Sequence, residues 1–530
     1  MRLPIGKQVF ERLRTENYLY VDKTRQIYDI VTGDSEQIFL SRPRRFGKTL
    51  LCWTLDALFS GRRELFEGLS ISLSDWNWES YPVIHLDMSD IKTSSGVEGV
   101  DGSLMSQVKS VASIHGVKLK EITLPGIMLK DVIADVFKKH NKPVVVIVDE
   151  YDKPFLDFFN KPQEALKIRE IMRDYYITLK SSEQYMRFLF MTGISKFSKM
   201  GIFSSLNHMT DISLSEKYGT LLGYTENELV ECFDEHIKST AEKLNVSKEE
   251  LVEKMRDYYN GFCFDGVSRV YCPYSTLSFF CNCRFDNYWM ESATPKIIAD
   301  YMRDRCLTVE QFRGLQVSRD FAINPGEIET TPPESFLYQS GYLTLREGIY
   351  DDYSLDYPNT EVLNSISELV CKNMTRGNCD GQFMDLRTPL LKAIVGGDCD
   401  LFVKTINSLL AGIPYDDYAA SARQEIELSK IPAREWLYRS TILAFLRGCG
   451  VLAFGEMHGS KGRSDLLVSH KGVAWIIEIK VSYDNDGKAL AVRALEQING
   501  RRYADQFVTA KKVGIAIDDG AMRIKEWVAG

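Results

Sequence analysis

One stretch, Gln37–Thr49 (QIFLSRPRRFGKT), constrains the fold more than any other part of the chain. A short apolar run, Ile38–Leu40, leads through Gly47–Thr49 into the apolar segment Leu50–Phe59. A strand that turns through a glycine into a helix directs backbone N–H groups and the positive helix end to one point, where a triphosphate binds. The pattern therefore predicts a phosphate-binding loop between a strand and a helix.

Within this loop, Lys48 would reach the β- and γ-phosphates, and the Thr49 hydroxyl would bind Mg²⁺. The usual loop begins with a glycine, and Arg42 stands in that place, so one of the fixed positions differs. Because Arg42 alters the loop that must hold the phosphates, hydrolysis could be slow or absent. Taken alone, the Gly-Lys-Thr sequence is equally typical of a helix N-terminus with a solvated lysine.

A second segment, Pro143–Lys153 (PVVVIVDEYDK), supplies the other half of a nucleotide site. The apolar run Val144–Val148 is typical of a strand that is buried on both faces. Asp149 at its end would bind Mg²⁺, and Glu150 would polarise the attacking water. Alone, the segment could be a buried strand ending in a polar turn, but together with the Gly-Lys-Thr sequence it favours an NTP site.

Strands and helices alternate around these two motifs, with strands expected at 82–87, 144–148 and 187–192 and helices at 128–140 and 161–181. This alternation predicts an α/β fold with a parallel sheet and helices on both faces. Ligands bind such sheets at the carboxyl ends of the strands. Thr192 and Ser195 lie at one such end, where either could sense the γ-phosphate or merely cap a loop.

A second constellation lies in residues 431–530, where a predicted helix, Arg434–Arg447, precedes two strands. Asp465 begins the first strand, and Glu478 and Lys480 share one face of the second because side chains alternate along a strand. Two carboxylates can bind a hard divalent cation while the lysine orients or deprotonates a water beside a scissile phosphate. The alternative is an edge strand whose polar face contacts solvent.

Composition narrows the class of protein. A chain of 530 residues predicts three or four domains. The net charge is −8, yet residues 431–530 carry 15 Lys and Arg against 11 Asp and Glu, which permits a nucleic-acid role there. The N-terminus lacks an apolar signal region, and no apolar run reaches membrane-spanning length. With eleven scattered cysteines, these features predict a cytoplasmic protein with reduced thiols and no membrane contact.

We expect four regions: a P-loop ATPase domain at 1–204, a helical lid at 205–335, a winged-helix-like and helical connector at 336–430, and a nuclease-like domain at 431–530. The segment Asn17–Thr24 is expected to form a short strand and turn against the nucleotide domain, with a flap over the nucleotide base as the alternative. The aromatic turn Tyr258–Phe264 is expected to be core, although such residues could stack on bases.

The chain resembles the bacterial AAA-ATPase-like proteins that carry a C-terminal PD-(D/E)XK nuclease-superfamily domain. The motifs that carry the resemblance are RPRRFGKT (42–49), DEYDKP (149–154), TGISKFS (192–198), YNGF (259–262) and YQSGYL (338–343). The resemblance implies an ASCE-type P-loop fold in which the strand of Thr192 lies between those of Lys48 and Asp149. It also implies ATP and Mg²⁺ as cofactors, bound by these residues: Arg42, Pro43, Arg44, Arg45, Phe46, Gly47, Lys48, Thr49, Asp149, Thr192 and Ser195.

The C-terminal sequence resembles PD-(D/E)XK nucleases through Gly-Arg-x-Asp before the hairpin and Ile-Glu-Ile-Lys-Val after it. The resemblance implies a restriction-endonuclease-like fold, catalysis by Asp465, Glu478 and Lys480, and Mg²⁺ or Mn²⁺ bound by the two acids. Glu435 could supply a third carboxylate ligand. Gln497 and Tyr503 resemble a Q-x-x-x-Y element with a longer spacing, and Glu456 is a further candidate that is expected on the surface.

Three functions compete at this point. The first is an ATPase, with Glu150 as its catalytic base, coupled to a nuclease that acts on nucleic acid, DNA foremost. The second is a regulatory NTPase switch whose nuclease-fold domain only binds nucleic acid or a protein partner. The third is an adaptor with two vestigial sites, which the retained lysine and acids disfavour. A homo-oligomer with an arginine finger is possible, and Arg44, Arg45 and Arg187 are candidate phosphate partners.

Overall fold

The structure is a computed structural model. It describes residues 1–120, 124–158, 162–195, 209–291, 309, 312–318, 321, 332–347, 352–374, 379–412, 433–459, 462–483, 486–500 and 510–530. The chain forms two compact units: the first comprises residues 1–293 and 314–361, and the second comprises residues 294–313 and 362–530. Each unit is described by itself.

The first unit is built on a parallel five-stranded sheet. Its strands are β1 (Gln37–Ser41), β2 (Val83–Asp87), β3 (Val144–Asp149), β4 (Met186–Gly193) and β5 (Thr210–Asp211). They lie in the order β2-β3-β4-β1-β5. The strand of Thr192 therefore lies between those of Lys48 and Asp149, which confirms the ASCE-type prediction. Every residue of β3 is buried, as its unbroken apolar run requires.

The helices described around this sheet are α1 (Phe10–Thr15), α2 (Thr24–Val31), α3 (Lys48–Phe59), α4 (Gly96–His115), α5 (Pro125–His140), α6 (Lys153–Leu156) and α7 (Pro162–Lys180). Apolar faces of α4, α5 and α7 form one core with β2, β3 and β4. Helix α3 begins directly after Gly47, whose φ of 92° is a left-handed conformation that a side chain would strain. The glycine thus turns β1 into the P-loop helix, as the sequence predicts.

The N-terminal segment departs from the prediction, because no strand spans residues 17–24. Tyr18 makes only an isolated bridge with Arg2, and a helix begins at Thr24. The cause is local: one carboxylate oxygen of Asp22 accepts hydrogen bonds from the Thr24 backbone N–H at 2.8 Å and from its hydroxyl at 2.6 Å. A short polar side chain used in this way favours a helix start over a strand.

Helices and two short strands follow the sheet in the chain. These elements are α8 (Glu226–Cys232), α9 (Asp234–Leu244), α10 (Lys248–Tyr259), β6 (Phe262–Cys263), β7 (Arg269–Val270) and α11 (Pro273–Asn282). Residues 226–244 form two consecutive helices, which are separated at Phe233. Tyr259, Phe262 and Phe264 are buried, as expected for core residues rather than base-stacking ones.

The first unit closes with a helix and a small antiparallel sheet. These elements are β8 (Leu315–Val317), α12 (Pro333–Gln339), β9 (Thr344–Glu347) and β10 (Tyr353–Asp356), with the strands in the order β8-β10-β9. Strands β9 and β10 pair with each other, and β8, from earlier in the chain, joins them at β10.

The second unit carries a mixed sheet with helices. Its helices are α13 (Thr360–Met374, which starts in the first unit), α14 (Cys379–Gly396), α15 (Cys399–Ala411), α16 (Ala433–Gly448) and α17 (Gly487–Gly500). Its strands are β11 (Leu452–Gly459), β12 (Gly462–His470), β13 (Val473–Ser482), β14 (Ala510–Asp518) and β15 (Arg523–Ala529), in this order across the sheet. Among the strand pairs that the structure describes in this sheet, β13–β14 alone is parallel. Among the described residues, no helix is both long and apolar enough to cross a membrane.

Candidate active sites

The P-loop connects β1 to α3 and closes around its own lysine. The Lys48 ammonium donates hydrogen bonds to the carbonyls of Arg42 and Pro43, both at 3.0 Å. Burial lowers the pKa of Lys48, and the nearby carboxylates of Glu150 and Asp149 oppose that change. A buried ammonium held only by carbonyls is well placed to exchange them for phosphate oxygens.

Arg42 serves the loop differently from the glycine that it replaces. It is only 2% exposed, and its guanidinium donates to the carbonyls of Ser41 at 2.8 Å, Ser213 at 2.7 Å and Tyr218 at 3.1 Å. The guanidinium also lies over the ring of Phe264, 4.2 Å from its centroid. The Arg42 side chain is thus committed to the protein, and only its backbone remains available to a phosphate.

Phe46 anchors the other end of the loop. Its buried ring packs against Phe262 and Phe264, with centroid distances of 4.8 and 5.2 Å. Phe262 in turn lies 5.2 Å from Trp289. The aromatic motif at 259–262 therefore packs against the P-loop through Phe262.

The motif at 338–343 also packs against the P-loop. Gly341 has a φ of 84°, and a Cβ there would come within 2.6 Å of the Pro43 side chain. Tyr342 packs edge-on against Trp289 at 6.2 Å. The residues that distinguish this loop from the usual one thus contact the residues of the two distant motifs.

Asp149 and Thr49 meet at the carboxyl end of β3. Burial raises the pKa of the Asp149 carboxyl, while a hydrogen bond from the Thr49 hydroxyl acts in the opposite direction. A hydroxyl in contact with a carboxylate at a P-loop is a donor set that suits Mg²⁺. Behind Asp149, the Cys52 sulfur, a His85 ring nitrogen and an Asp149 oxygen lie within 4.8 Å of one another.

Glu150, the predicted base, lies at the edge of the loop cavity. Its backbone is left-handed, with φ of 52°, a conformation that is uncommon for residues other than glycine. Burial raises the pKa of Glu150, and the Lys48 charge opposes that rise. The strained backbone holds the carboxyl beside the loop lysine.

The predicted sensors Thr192 and Ser195 both have protein partners. The Thr192 hydroxyl donates to the Leu40 carbonyl at 2.7 Å. A carboxylate oxygen of buried Asp152 accepts from the backbone N–H groups of Ile194 at 3.0 Å and Ser195 at 2.7 Å, and from the Ser195 hydroxyl. Asp152 therefore ties the loop after β3 to the loop after β4, a role that the sequence reasoning missed.

A cavity of about 420 Å³ opens beside the P-loop. Its lining includes the loop residues Arg44, Arg45, Gly47, Lys48 and Thr49, together with Glu150. On the far side lie the N-terminal residues Pro4, Gly6, Lys7 and Gln8 and the aromatic rings of Tyr224 and Tyr274. These last residues were not predicted, because no motif marks them and only the fold brings them to the loop.

The three candidate phosphate arginines are not equivalent. Arg44 and Arg45 line the cavity, and Arg45 lies over the ring of Tyr274 at 4.5 Å. Arg187 is near the amino end of β4, where its guanidinium pairs with Glu36 at 3.1 Å. The carboxyl strand ends hold the P-loop, so Arg187 is at the opposite end of its strand from that site.

The second constellation also comes together, within the second unit. The Asp465 backbone N–H donates to Glu478 at 3.3 Å, and the Ile479 N–H donates to the Asp465 carboxylate at 2.7 Å. The Lys480 ammonium lies 3.2 Å from Glu478 and 3.7 Å from Glu435. Glu435 on α16 thus joins Asp465 on β12 and Glu478 on β13, as the sequence analysis anticipated.

The charged groups of this second site affect one another's pKa values. Burial raises the pKa of Glu478 to about 7, and Asp465 adds to the rise while Lys480 opposes it. Burial likewise raises the pKa of Glu435. Buried carboxyl oxygens are the ligands that hard divalent cations prefer, so this donor set fits Mg²⁺ or Mn²⁺.

Two residues complete the description of this site. The side-chain amide of Gln497 on α17 donates to Glu478, in agreement with its predicted place in the site. Arg439, one helical turn after Glu435, lies 3.7 Å from the Asp465 carboxylate. It was missed, although its i, i+4 spacing from Glu435 was a usable signal. Tyr503 and the side chain of Glu456 lie outside the described residues.

Comparisons with known proteins match both halves of the chain. Residues 4–203 match the family described as a predicted AAA-ATPase (AAA-ATPase-like), and residues 433–527 match the PD-(D/E)XK nuclease superfamily. An uncharacterized protein from the vnfD 5′ region of Azotobacter chroococcum mcd 1 is 30% identical over 519 residues, covering 96% of this chain and 93% of that relative. This similarity extends over nearly the whole of both proteins.

Two solved structures show weak similarity. Cdc6p from Pyrobaculum aerophilum has 8% identity and a TM-score of 0.24, covering 70% of this chain and 95% of that one. The Aeropyrum pernix ORC2 protein, in ADPNP–ADP complexes, has 12% identity and a TM-score of 0.25, covering 69% and 98%. At these TM-scores the similarities carry no argument, and the fold rests on the strand order itself.

Proposed function

The chain belongs to the AAA-ATPase-like proteins with a C-terminal PD-(D/E)XK nuclease-superfamily domain, and we propose that it is an ATP-binding enzyme that cleaves nucleic-acid phosphodiester bonds. We assign the ATPase to residues 1–204, a helical lid to 205–335, a connector to 336–430 and the nuclease to 431–530. The proposal places the protein in the cytoplasm, with DNA as the foremost substrate and a homo-oligomer as a possible assembly.

The observation that carries the proposal is the convergence of three sequence-distant carboxyl groups, from Glu435, Asp465 and Glu478, around one lysine. Each is buried or half-buried, and burying acids together without a function costs stability. A phosphodiester nuclease needs such a group of oxygen donors with a cation beside them.

In the proposed cleavage reaction, Glu478 and Asp465 would hold a divalent cation, with Glu435 as a further ligand. When bound, that cation would neutralise charge on the scissile phosphate and favour ionisation of a water. Lys480 lies between two of the acids and would orient or deprotonate the attacking water. The Gln497 amide donates to one Glu478 carboxylate oxygen and the Asp465 backbone N–H donates to the other, so these two contacts fix the orientation of the carboxylate.

In the proposed ATPase, Lys48 leaves the carbonyls of Arg42 and Pro43 and binds phosphate oxygens. Thr49 and Asp149 would hold Mg²⁺, and Glu150 would polarise the water that attacks the γ-phosphate. The backbone of residues 42–47 and the Arg44 and Arg45 side chains would contact the phosphates. Thr192 and Ser195 would report the γ-phosphate, with Asp152 transmitting that contact to the loop after β3.

The test is cleavage of plasmid DNA, single-stranded DNA and RNA with Mg²⁺ or Mn²⁺, with and without ATP. Lys480→Ala should abolish cleavage, whereas Lys488→Ala, an exposed lysine in the same unit, should not. Lys48→Ala should remove the effect of ATP but leave metal-dependent cleavage, and exposed Lys109→Ala serves as its control.

Two outcomes would contradict the proposal. Cleavage that survives in Lys480→Ala would point to a contaminating nuclease. The absence of cleavage on every substrate, with ATP turnover intact, would favour the alternative, a regulatory NTPase whose nuclease-fold domain only binds nucleic acid or a protein partner.

A further inference from the structure

Arg439 is the least expected charged group of the second site. It is 3% exposed, lies on α16, and places one guanidinium nitrogen 3.7 Å from the Asp465 carboxylate. Residues four apart share a helix face, so Glu435 and Arg439 are directed to the same site from one helix. An arginine remains charged in proteins, and its burial is costly unless opposite charge lies nearby.

A second buried arginine on the same helix shows the contrast. Arg447 is 1% exposed and donates to the Ala453 carbonyl at 2.8 Å, a contact that anchors α16 to the start of β11. Arg439 instead faces the carboxylate of Asp465. Its charge therefore contributes to the electrostatics of the site.

The net charge of the site bears on how many divalent cations it can bind. Among the side chains that the structure describes here, the carboxyl groups of Asp465, Glu478 and Glu435 supply three negative charges when ionised, and Lys480 and Arg439 supply two positive charges. The net charge of these five groups is then −1. One divalent cation and one scissile phosphodiester bring the site to neutrality, whereas a second divalent cation would leave an excess of two positive charges in a buried place.

Geometry adds to this count. In two-metal sites one carboxylate commonly serves both ions, which lie about 3.5–4 Å apart. One oxygen of Asp465 already accepts the Ile479 backbone N–H at 2.7 Å, and the other faces Arg439. The guanidinium thus lies beside the Asp465 oxygen that does not accept this N–H, and a cation placed between them would meet its positive charge.

We propose that Arg439 is a built-in cation of the nuclease site, which takes the electrostatic place of a second metal ion and limits the site to one divalent cation. The inference deepens the proposed nuclease function and rests on it. Arg439 acts on Asp465 and is a positioning residue in this sense.

The test counts bound Mn²⁺ by electron paramagnetic resonance on the full chain without nucleotide, which needs no cleavage activity. Subtracting the count for Glu478→Gln from that for wild type gives the ions at this site. We expect a difference of one ion for wild type. The same subtraction should give two ions for Arg439→Gln. It should give one ion for Arg439→Lys and for the exposed control Arg493→Gln.

Each outcome is decisive. Two ions in wild type, or one ion in folded Arg439→Gln, would overturn the inference but leave the nuclease standing. A difference of zero in wild type would contradict the nuclease site itself. If Arg439→Gln does not fold, Arg439→Met tests the same loss of charge with an apolar side chain, and the wild-type count still stands as a test.

Discussion

The guanidinium of Arg42 lies 4.2 Å from the ring centroid of Phe264, and its donors reach the carbonyls of Ser213 and Tyr218. A residue at the first position of the P-loop is thereby bound to two segments that follow the sheet in sequence. The usual glycine cannot make any of these contacts. The loop of this chain is held from outside by its first side chain, and Phe46 holds it at the other end.

The first prediction is that Arg42→Gly, although it restores the usual P-loop sequence, destabilises the protein. It removes charge-assisted hydrogen bonds to three carbonyls and a stacking contact, for which we expect a loss of about 2–4 kcal/mol in unfolding free energy. Urea unfolding measures the change. Arg25→Gly, at an exposed helix position, should cost only about 1 kcal/mol. Equal losses in the two variants would contradict the anchoring role.

Asp152 leads to the second prediction. Asp152→Asn keeps the shape of the side chain but replaces an acceptor oxygen that serves the N–H groups of Ile194 and Ser195. The loop after β4 should then shift relative to Glu150. Because small misplacements of catalytic groups cost up to about 100-fold in rate, we expect kcat for ATP to fall about tenfold or more.

ATP affinity should change little in Asp152→Asn, since Asp152 does not line the loop cavity. Steady-state kinetics together with equilibrium binding of a nonhydrolysable analogue separate the two effects. Asp157→Asn, an exposed aspartate in the segment that follows the same strand, is the control. A parallel loss of affinity and turnover would show that Asp152 supports the fold rather than the position of the loop after β4.

Sequence reasoning recovered the strands, the P-loop and the acids because each is marked by local patterns. Apolar runs mark β1 and β3, and alternation places Glu478 and Lys480 on one face. It missed Tyr224 and Tyr274, which approach the loop only through tertiary packing. It also assigned Arg42 by position in the motif, whereas its contacts depend on residues more than 170 positions away.

The start of α2 shows the same limit at short range. The aromatic and β-branched residues of 17–21 favour a strand by propensity. Asp22 nevertheless satisfies the Thr24 backbone N–H and also accepts from Ser70 at 2.7 Å. A tertiary contact therefore fixed the carboxylate that starts the helix, and no local pattern records that contact.

The third prediction concerns Lys48. Among the residues that the structure describes, no carboxylate is in hydrogen-bond contact with its buried ammonium, so Lys48→Met should leave the stability of the nucleotide-free protein nearly unchanged. Wild type should be stabilised by ATP and Mg²⁺, by about 2.7 kcal/mol at a free concentration near one hundred times Kd. Thermal unfolding with and without ATP measures this.

Lys48→Met should lose that ATP-dependent rise in Tm, and exposed Lys109→Met should keep it. If ATP stabilises Lys48→Met as strongly as wild type, the nucleotide does not bind at the P-loop.

The last prediction follows from the raised pKa of Glu478, about 7 against an ordinary value of 4.5. Because the folded state holds this proton more tightly than the unfolded state, its contribution to stability is present below about pH 4.5 and is lost as pH rises through about 7. In metal-free protein, wild type should therefore lose unfolding free energy relative to Glu478→Gln over this range. Exposed Glu496→Gln should follow wild type.

Mn²⁺ should reverse this trend, since the cation binds the ionised carboxylate and its affinity rises as the proton leaves. Below pH 7 the affinity of wild type should fall by up to about tenfold per pH unit, because one proton must be displaced. Urea unfolding across pH 5–8 tests both trends: the loss of stability with rising pH in metal-free protein and its reversal by Mn²⁺. A difference between wild type and Glu478→Gln that stays flat with pH would show that Glu478 is ionised throughout and that another group holds the proton.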